Sequence, residues 1–325
     1  MMTKLNATTG HSSARNGGLK LAGIFAPTIT AFSKDGSVNL KGVKQFVRYL
    51  LDAGVDGLAP LGSAGEPFAL SVEERMQVLE AIVEETAGRV PIFAGVVDYR
   101  TDVVMELSCH ARSLGCQGIM VITPYLLRPP KRDVLDHFRR VREKVGLPIM
   151  LYNVPVLTGV EITPEEVHML AREDVIHAVK WSHVEVSRVH DTRLLCGPDF
   201  PVFTGIDLVA FEAMAVGADG WISGIPLIAP RSAVKLHRLL AVDKNLDAAR
   251  ALWYKILPVI QLEYRALGTA NGDPHWLAVC REAATLRGIP VGASRPPLTP
   301  VVPEVRADLQ AALSALGELS VETPV

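Results

Sequence analysis

One pattern recurs along the chain: a short apolar run, a turn, an amphipathic stretch, a glycine, then another apolar run. Eight such runs can be read, at 24–32, 57–60, 91–95, 118–123, 148–152, 175–180, 202–204 and 220–223. They are rich in Val, Ile, Phe and Met and do not alternate polar with apolar positions. That is the pattern of strands buried on both faces. The stretches between them have helical spacing, as where Val72, Met76, Leu79, Ile82 and Val83 share one face. Ser71 to Glu74 and Thr163 to Glu166 have the form of capping boxes, the second with proline at the first helical position. Gly54, Gly88, Gly115, Gly146 and Gly217 stand where helices must stop, and a left-handed residue there turns the chain back toward the next strand.

Parallel strands joined by helical crossovers wind right-handed, and eight such units close a barrel. The pattern therefore predicts an α/β fold, a (β/α)8 TIM barrel over residues 21–228 followed by a small C-terminal helical domain over 229–325. Helices are expected there around 230–243, 246–267, 274–287 and 303–316, with a proline-rich connector at 288–303. A doubly wound open sheet is the rival fold, but no Gly-x-Gly-x-x-Gly follows the first strand. Residues 1–20 contain Lys4, Arg15 and Lys20, no acid and no apolar stretch. They read as a disordered tail rather than a secretory signal, with a transit-type leader as the alternative.

Composition narrows the function classes. The 325 residues carry 33 Lys and Arg against 35 Asp and Glu, and 49% are apolar, so a mainly disordered chain is excluded. Near-neutral charge removes the electrostatic footprint of a nucleic-acid binder. The basic clusters at 128–132 and 137–142 read as solvated helix surface. No apolar run reaches the roughly 18 residues of a membrane span. Cys109, Cys116, Cys196 and Cys280 form no Cys-x-x-Cys and read as reduced, mostly buried thiols of a cytoplasmic protein.

Reactive groups of such a barrel stand at the C-terminal ends of its strands. The ends here are Gly62-Ser63-Ala64-Gly65-Glu66, Thr123-Pro124-Tyr125, Tyr152-Asn153-Val154-Pro155, Lys180-Trp181-Ser182 and Thr204-Gly205-Ile206-Asp207. Lys180 closes an apolar run, where burial disfavours an ammonium and a free amine is a nucleophile toward carbonyls. The bland alternative is a lysine snorkelling to solvent. The glycine-flanked turn could nest a carboxylate on its amides, with Ser63 as a hydroxyl relay, or be an ordinary turn. Tyr152 could pass protons beside an imine, or be a core tyrosine with a satisfied hydroxyl. Amine, phenol and amide nest together are what Schiff-base chemistry on a 2-keto acid requires. His177, His183, His190 and Asp191 cluster in sequence but lack metal-ligand spacing, so a metal-dependent barrel aldolase or hydrolase is the weaker reading.

At these motifs the chain resembles the Schiff-base-forming, pyruvate-dependent lyases of the dihydrodipicolinate synthase / N-acetylneuraminate lyase superfamily, over about residues 21–290. Gly217-Ala218-Asp219-Gly220 and Thr158-Gly159 add to the likeness. The resemblance implies that Lys180 forms the imine, that Tyr152 transfers protons at it, and that Ser63 links to Tyr152. It further implies that the amides of Ser63 and Ala64, after Gly62, hold the keto-acid carboxylate and that the carbonyl of Ile222 faces it. Leu157, Thr158, Gly205, Asp207 and Tyr125 are the remaining expected substrate contacts. The resemblance implies no metal or organic cofactor, and a homo-oligomer, commonly a tetramer built as a dimer of dimers.

Departures from the family pattern bear on the second substrate. Leu157 stands where the family's synthases carry a carboxylate-gripping arginine, Leu126 where they carry a second tyrosine, and Ala64 where they carry a hydroxyl. Leu208 stands where sugar-acid lyases carry an acid. With Trp181 after the lysine, these suggest a less polar acceptor pocket, although Trp181 could equally pack behind the rim. The expected activity is cleavage or formation of a C–C bond, or loss of water or ammonia, on a 2-keto acid. A 4-hydroxy-tetrahydrodipicolinate synthase proper, a sugar-acid lyase and a non-catalytic keto-acid sensor are the alternatives.

Overall fold

A computed structural model of the protein describes residues 21–265 and 274–319. Eight parallel strands form the centre: β1 (Gly23–Pro27), β2 (Gly57–Ala59), β3 (Phe93–Gly95), β4 (Gly118–Ile122), β5 (Ile149–Asn153), β6 (Ala178–Trp181), β7 (Val202–Thr204) and β8 (Gly220–Trp221). Their order is β2-β1-β8-β7-β6-β5-β4-β3. The ring closes between β2 and β3 through a parallel bridge from Leu58 to Ile92, with the Leu58 N–H donating to Pro91 O at 3.0 Å. Each apolar run of the sequence therefore supplies one stave of a closed barrel.

The crossover helices are α1 (Leu40–Asp52), α2 (Val72–Thr86), α3 (Thr101–Ser113), α4 (Lys131–Val145), α5 (Pro164–Arg172), α6 (Ser187–Cys196), α7 (Ala210–Ala215) and α8 (Pro230–His237). Both capping boxes form, Ser71 with Glu74 and Thr163 with Glu166. Gly54, Gly88, Gly115, Gly146 and Gly217 all have positive φ, between 72° and 111°. Three further helices follow: α9 (Leu246–Tyr264), α10 (Trp276–Thr285) and α11 (Pro303–Ala315). Helix α8 packs on β1, so the last helix of the barrel ring lies beyond the boundary drawn at 228. The expected N-terminal tail, and positions 266–273 and 320–325 of the expected helical region, lie outside the described residues.

Apolar side chains sort into two bodies by strand parity. Outward-facing residues such as Val121, Leu151, Val179 and Trp181 pack against the helices. Inward-facing ones, among them Phe25, Phe93, Met120, Met150, Ala178 and Phe203, fill the barrel axis. Phe25 meets Phe93 and Phe203 edge-on, with ring centroids 6.1 and 5.2 Å apart. A Cβ on Gly57, Gly118 or Gly220 would fall within 2.4 Å of these rings, so glycine is what lets three phenyl groups share the axis. Above this plug the inward positions are Pro27, Gly95 and Gly205, which leave a hollow at the C-terminal mouth. Among the described residues no helix is long and apolar enough to cross a membrane.

Candidate active site

The hollow is a cavity of about 120 Å³, and Lys180 is its only lining cation among the described residues. Strand register explains the placement. Tyr152 on β5 pairs directly with Lys180 on β6, so both side chains enter the barrel at the same level. Lys180 Nζ lies 3.9 Å from the centroid of the Tyr152 ring. Lys180 and Tyr152 are 6% and 4% exposed, which excludes the snorkelling alternative. The Tyr152 hydroxyl shares a hydrogen bond of 3.3 Å with Ser63 Oγ. Amine, phenol and serine hydroxyl thus meet at three strand ends, the amine over the phenol ring and the two hydroxyls hydrogen-bonded.

Ser63 and Ala64 begin a single 3-10 turn, Ser63–Gly65, whose leading amides have no acceptor within the turn. Gly62, Ser63 and Ala64 all line the cavity. Backbone strain marks both ends of the segment, since Leu61 and Glu66 adopt φ of 57° and 53° without being glycine. What holds it is buried charge. Arg281 of α10 donates through Nε to Glu66 Oε1 at 2.8 Å and through Nη2 to Thr30 O at 2.7 Å. Ser294 Oγ donates to the same Glu66 oxygen at 3.1 Å, and Thr30 Oγ1 donates to Gly65 O at 2.7 Å. The C-terminal helices therefore brace the turn.

Of the other expected contacts, Ile222, Leu157 and Gly205 line the cavity as well. Three residues do not. Thr158 is buried, its hydroxyl donating to Val160 O at 3.0 Å and accepting from Thr123 Oγ1 at 3.0 Å. It shapes the loop that carries Leu157 and does not face the cavity. Asp207 is fully buried behind the wall, accepting from Ser223 Oγ at 2.5 Å, Gly224 N at 3.1 Å and Ile225 N at 3.0 Å. Tyr125 turns aside and stacks edge-on with Phe68 and Tyr99.

Trp181 faces away from the site. Parity sends it outward next to inward Lys180, where its Nε1–H donates to Thr192 Oγ1 on α6 at 3.1 Å. Leu126 is 82% exposed, and neither it nor Leu208 lines the cavity. The apolar walls come instead from Met120, Val154, Val156, Leu157, Ile206 and Trp276. His177, His183, His190 and Asp191 do not converge. Among the described residues no three His, Cys, Asp or Glu side chains are grouped as metal ligands would be.

The largest addition to the expected site is the far wall, built by Glu263 and Tyr264 of α9 and Trp276 of α10. Glu263 continues the buried stripe of Ile256, Val259 and Ile260. An acid on an otherwise apolar helix face was the available sequence signal. Burial and the neighbouring Asp207 carboxylate push the Glu263 carboxyl well above the usual range, and burial raises Asp207 too. Tyr264 Oη donates to Asp207 Oδ2 at 3.2 Å, and burial with both acids raises its phenol.

Comparison with known proteins agrees with this architecture. Residues 20–316 match the profile of the Dihydrodipicolinate synthetase family. A 4-hydroxy-tetrahydrodipicolinate synthase of Methanothrix thermoacetophila is 34% identical over 301 residues, 92% of this chain and 98% of that protein. YagE, a prophage protein of the dihydrodipicolinic acid synthase family from E. coli solved in complex with pyruvate, superposes with a TM-score of 0.84. It is 32% identical, with 91% of this chain and 99% of that one covered. The dihydrodipicolinate synthase of Aquifex aeolicus superposes with a TM-score of 0.83 at 30% identity, over 91% and 98% of the two chains.

Proposed function

The chain belongs to the dihydrodipicolinate synthetase family, and on that premise we propose that it is a lyase that binds pyruvate or a related 2-keto acid as an imine on Lys180. The main support is the contact of Lys180 Nζ with the Tyr152 ring at 3.9 Å, with Tyr152 itself bonded to Ser63. Lys180 attacks the C2 carbonyl as a free amine. Tyr152, supplied through Ser63, delivers the proton that lets the C2 oxygen leave as water, and an iminium remains. That iminium accepts an electron pair when the C3–H or C3–C4 bond breaks, giving an enamine. The enamine either adds to an aldehyde, is reprotonated at C3, or expels a group from C4. Water then frees the keto acid and restores the amine. The amides of Ser63 and Ala64 hold the carboxylate meanwhile.

The second substrate lacks a carboxylate in this reading. Lys180 is consumed in the imine, and no other cation lines the cavity among the described residues. Without a charge-assisted grip, a second carboxylate forgoes about 1.5–3 kcal/mol, roughly 10- to 100-fold in affinity. The synthase names of the relatives favour a second reading, synthesis of 4-hydroxy-tetrahydrodipicolinate, whose second carboxylate a carboxylate-bearing aldehyde has to bring. Pyruvate consumption with acetaldehyde and with aspartate semialdehyde separates the two. We expect faster turnover with acetaldehyde; faster turnover with the semialdehyde establishes the second reading instead.

A homo-oligomer fits the exposed apolar side chains around the mouth, Phe68, Leu126, Leu127 and Val156 at 62–82% exposure. The buried unpaired thiols of Cys116 and Cys280 suit a reducing cytoplasm.

A further inference from the structure

Glu263 is only 2% exposed, yet it reaches the cavity that holds Lys180, and its Oε2 has no hydrogen-bond partner. Its carboxyl lies so close to the backbone of Gly224 that a Cβ there would fall 1.8 Å from Oε1, so the glycine admits it. Its neighbouring acid is Asp207, whose carboxylate pushes the Glu263 carboxyl up. Asp207 differs from it in supply, accepting from Ser223, Gly224, Ile225 and Tyr264. Four donors suit a carboxylate, and a second unpaired charge buried beside it is costly. The pair therefore holds one charge and one proton, the charge on Asp207 and the proton on Glu263.

We propose that Glu263 is a catalytic acid of this site, giving its proton to an oxygen on C4 of the substrate, with Asp207 as the positioning residue that orients it. The assignment rests on imine formation at Lys180 and extends it to the other end of the reacting bond. When the enamine adds to an aldehyde, a C3–C4 bond forms, the carbonyl pair moves to oxygen, and Glu263 protonates that oxygen to a hydroxyl. When a 4-hydroxy-2-keto acid loses water, the enamine pair expels the C4 oxygen, which leaves as water with the Glu263 proton. In both cases Glu263 is left as carboxylate and recovers its proton from solvent. The substrate class is thus a keto acid bearing, or acquiring, oxygen at C4. The other titratable groups facing Glu263 are Lys180 and Tyr152 in the same cavity, Tyr264 on its own helix and Cys280 on α10, the last two held neutral by burial and by the acid pair.

The test compares wild type with Glu263→Gln and Glu263→Leu on two probes, pyruvate plus acetaldehyde and 4-hydroxy-2-oxopentanoate. Pyruvate loss reads addition, and absorbance of the conjugated 2-oxopent-3-enoate reads dehydration. Borohydride trapping of pyruvate on Lys180 is measured in parallel. We expect trapping to be retained in both variants while kcat on the active probe falls about 100-fold with little change in KM for pyruvate. The wild-type rate should decline on the alkaline side as Glu263 loses its proton, and Glu263→Gln should lack that limb. Wild-type rates in both variants, or a wild type that traps pyruvate but consumes neither probe, overturns the assignment and leaves the imine reading intact. Absence of trapping in wild type removes both together.

Discussion

At Gly205 the Lys180 side chain has no room to spare. A Cβ built there would stand 2.2 Å from Ser182 Oγ and 2.7 Å from Lys180 Cε. The single hydrogen of glycine thus keeps the lysine stem upright beside Tyr152. Gly205→Ala forces that stem or the β7 end to move, and misplacing a reacting group by an ångström costs on the order of 100-fold. We expect the rate of pyruvate trapping on Lys180 to drop by about that factor while the circular dichroism spectrum keeps its barrel signature; trapping at the wild-type rate contradicts this role. Parity makes the same residues readable. Lys180 inward requires Trp181 outward, so the tryptophan's absence from the cavity was implicit in the strand itself. Asp207 and Thr158 are different cases. Both sit at strand or loop ends where substrate contacts belong, but only tertiary packing reveals that their polar atoms are taken up by neighbouring backbone and side-chain groups.

Among the elements, the strands and their crossover helices follow from local pattern. Unalternating apolar runs, two capping boxes and five terminal glycines all act within a few residues. The C-terminal helices were legible as helices, but not as a wall of the site. Their docking depends on pairs such as Glu66 with Arg281, 215 positions apart. Both side chains are 5% exposed, so removing one partner leaves the other uncompensated. Arg281→Met should destabilise by about 3–5 kcal/mol, read as a lower denaturant midpoint, because the Glu66 carboxylate loses its cation. Combining it with Glu66→Gln should recover part of that loss. If the double variant is less stable than the single one by the full effect of each change, the pair is not what holds the turn.

For the whole molecule, one buried histidine and a pair of buried carboxyls tilt stability with pH in opposite directions. His137 on α4, bonded to Thr101 at 2.9 Å, has its pKa lowered by burial from 6.5 to about 4. The unfolded chain therefore binds that proton first on acidification. The stability His137 confers is present above about pH 6.5 and is lost as pH falls toward about 4. Glu263 and Asp207 are raised, so their contribution is full below the ordinary carboxylate range and fades as pH rises through their folded values. Thermal midpoints across pH should accordingly lose their acid limb in His137→Gln and part of their alkaline decline in Glu263→Gln. Unchanged slopes in both variants contradict the assignment of these groups.

A covalent bond from the Lys180 amine to a keto acid is read directly by a mass measurement on borohydride-treated protein. Incubation with pyruvate and borohydride should add the mass of one reduced pyruvate per chain, mapped by peptide fragmentation to Lys180 and missing from Lys180→Ala. An adduct on another lysine, or none at all in a folded protein, contradicts the account.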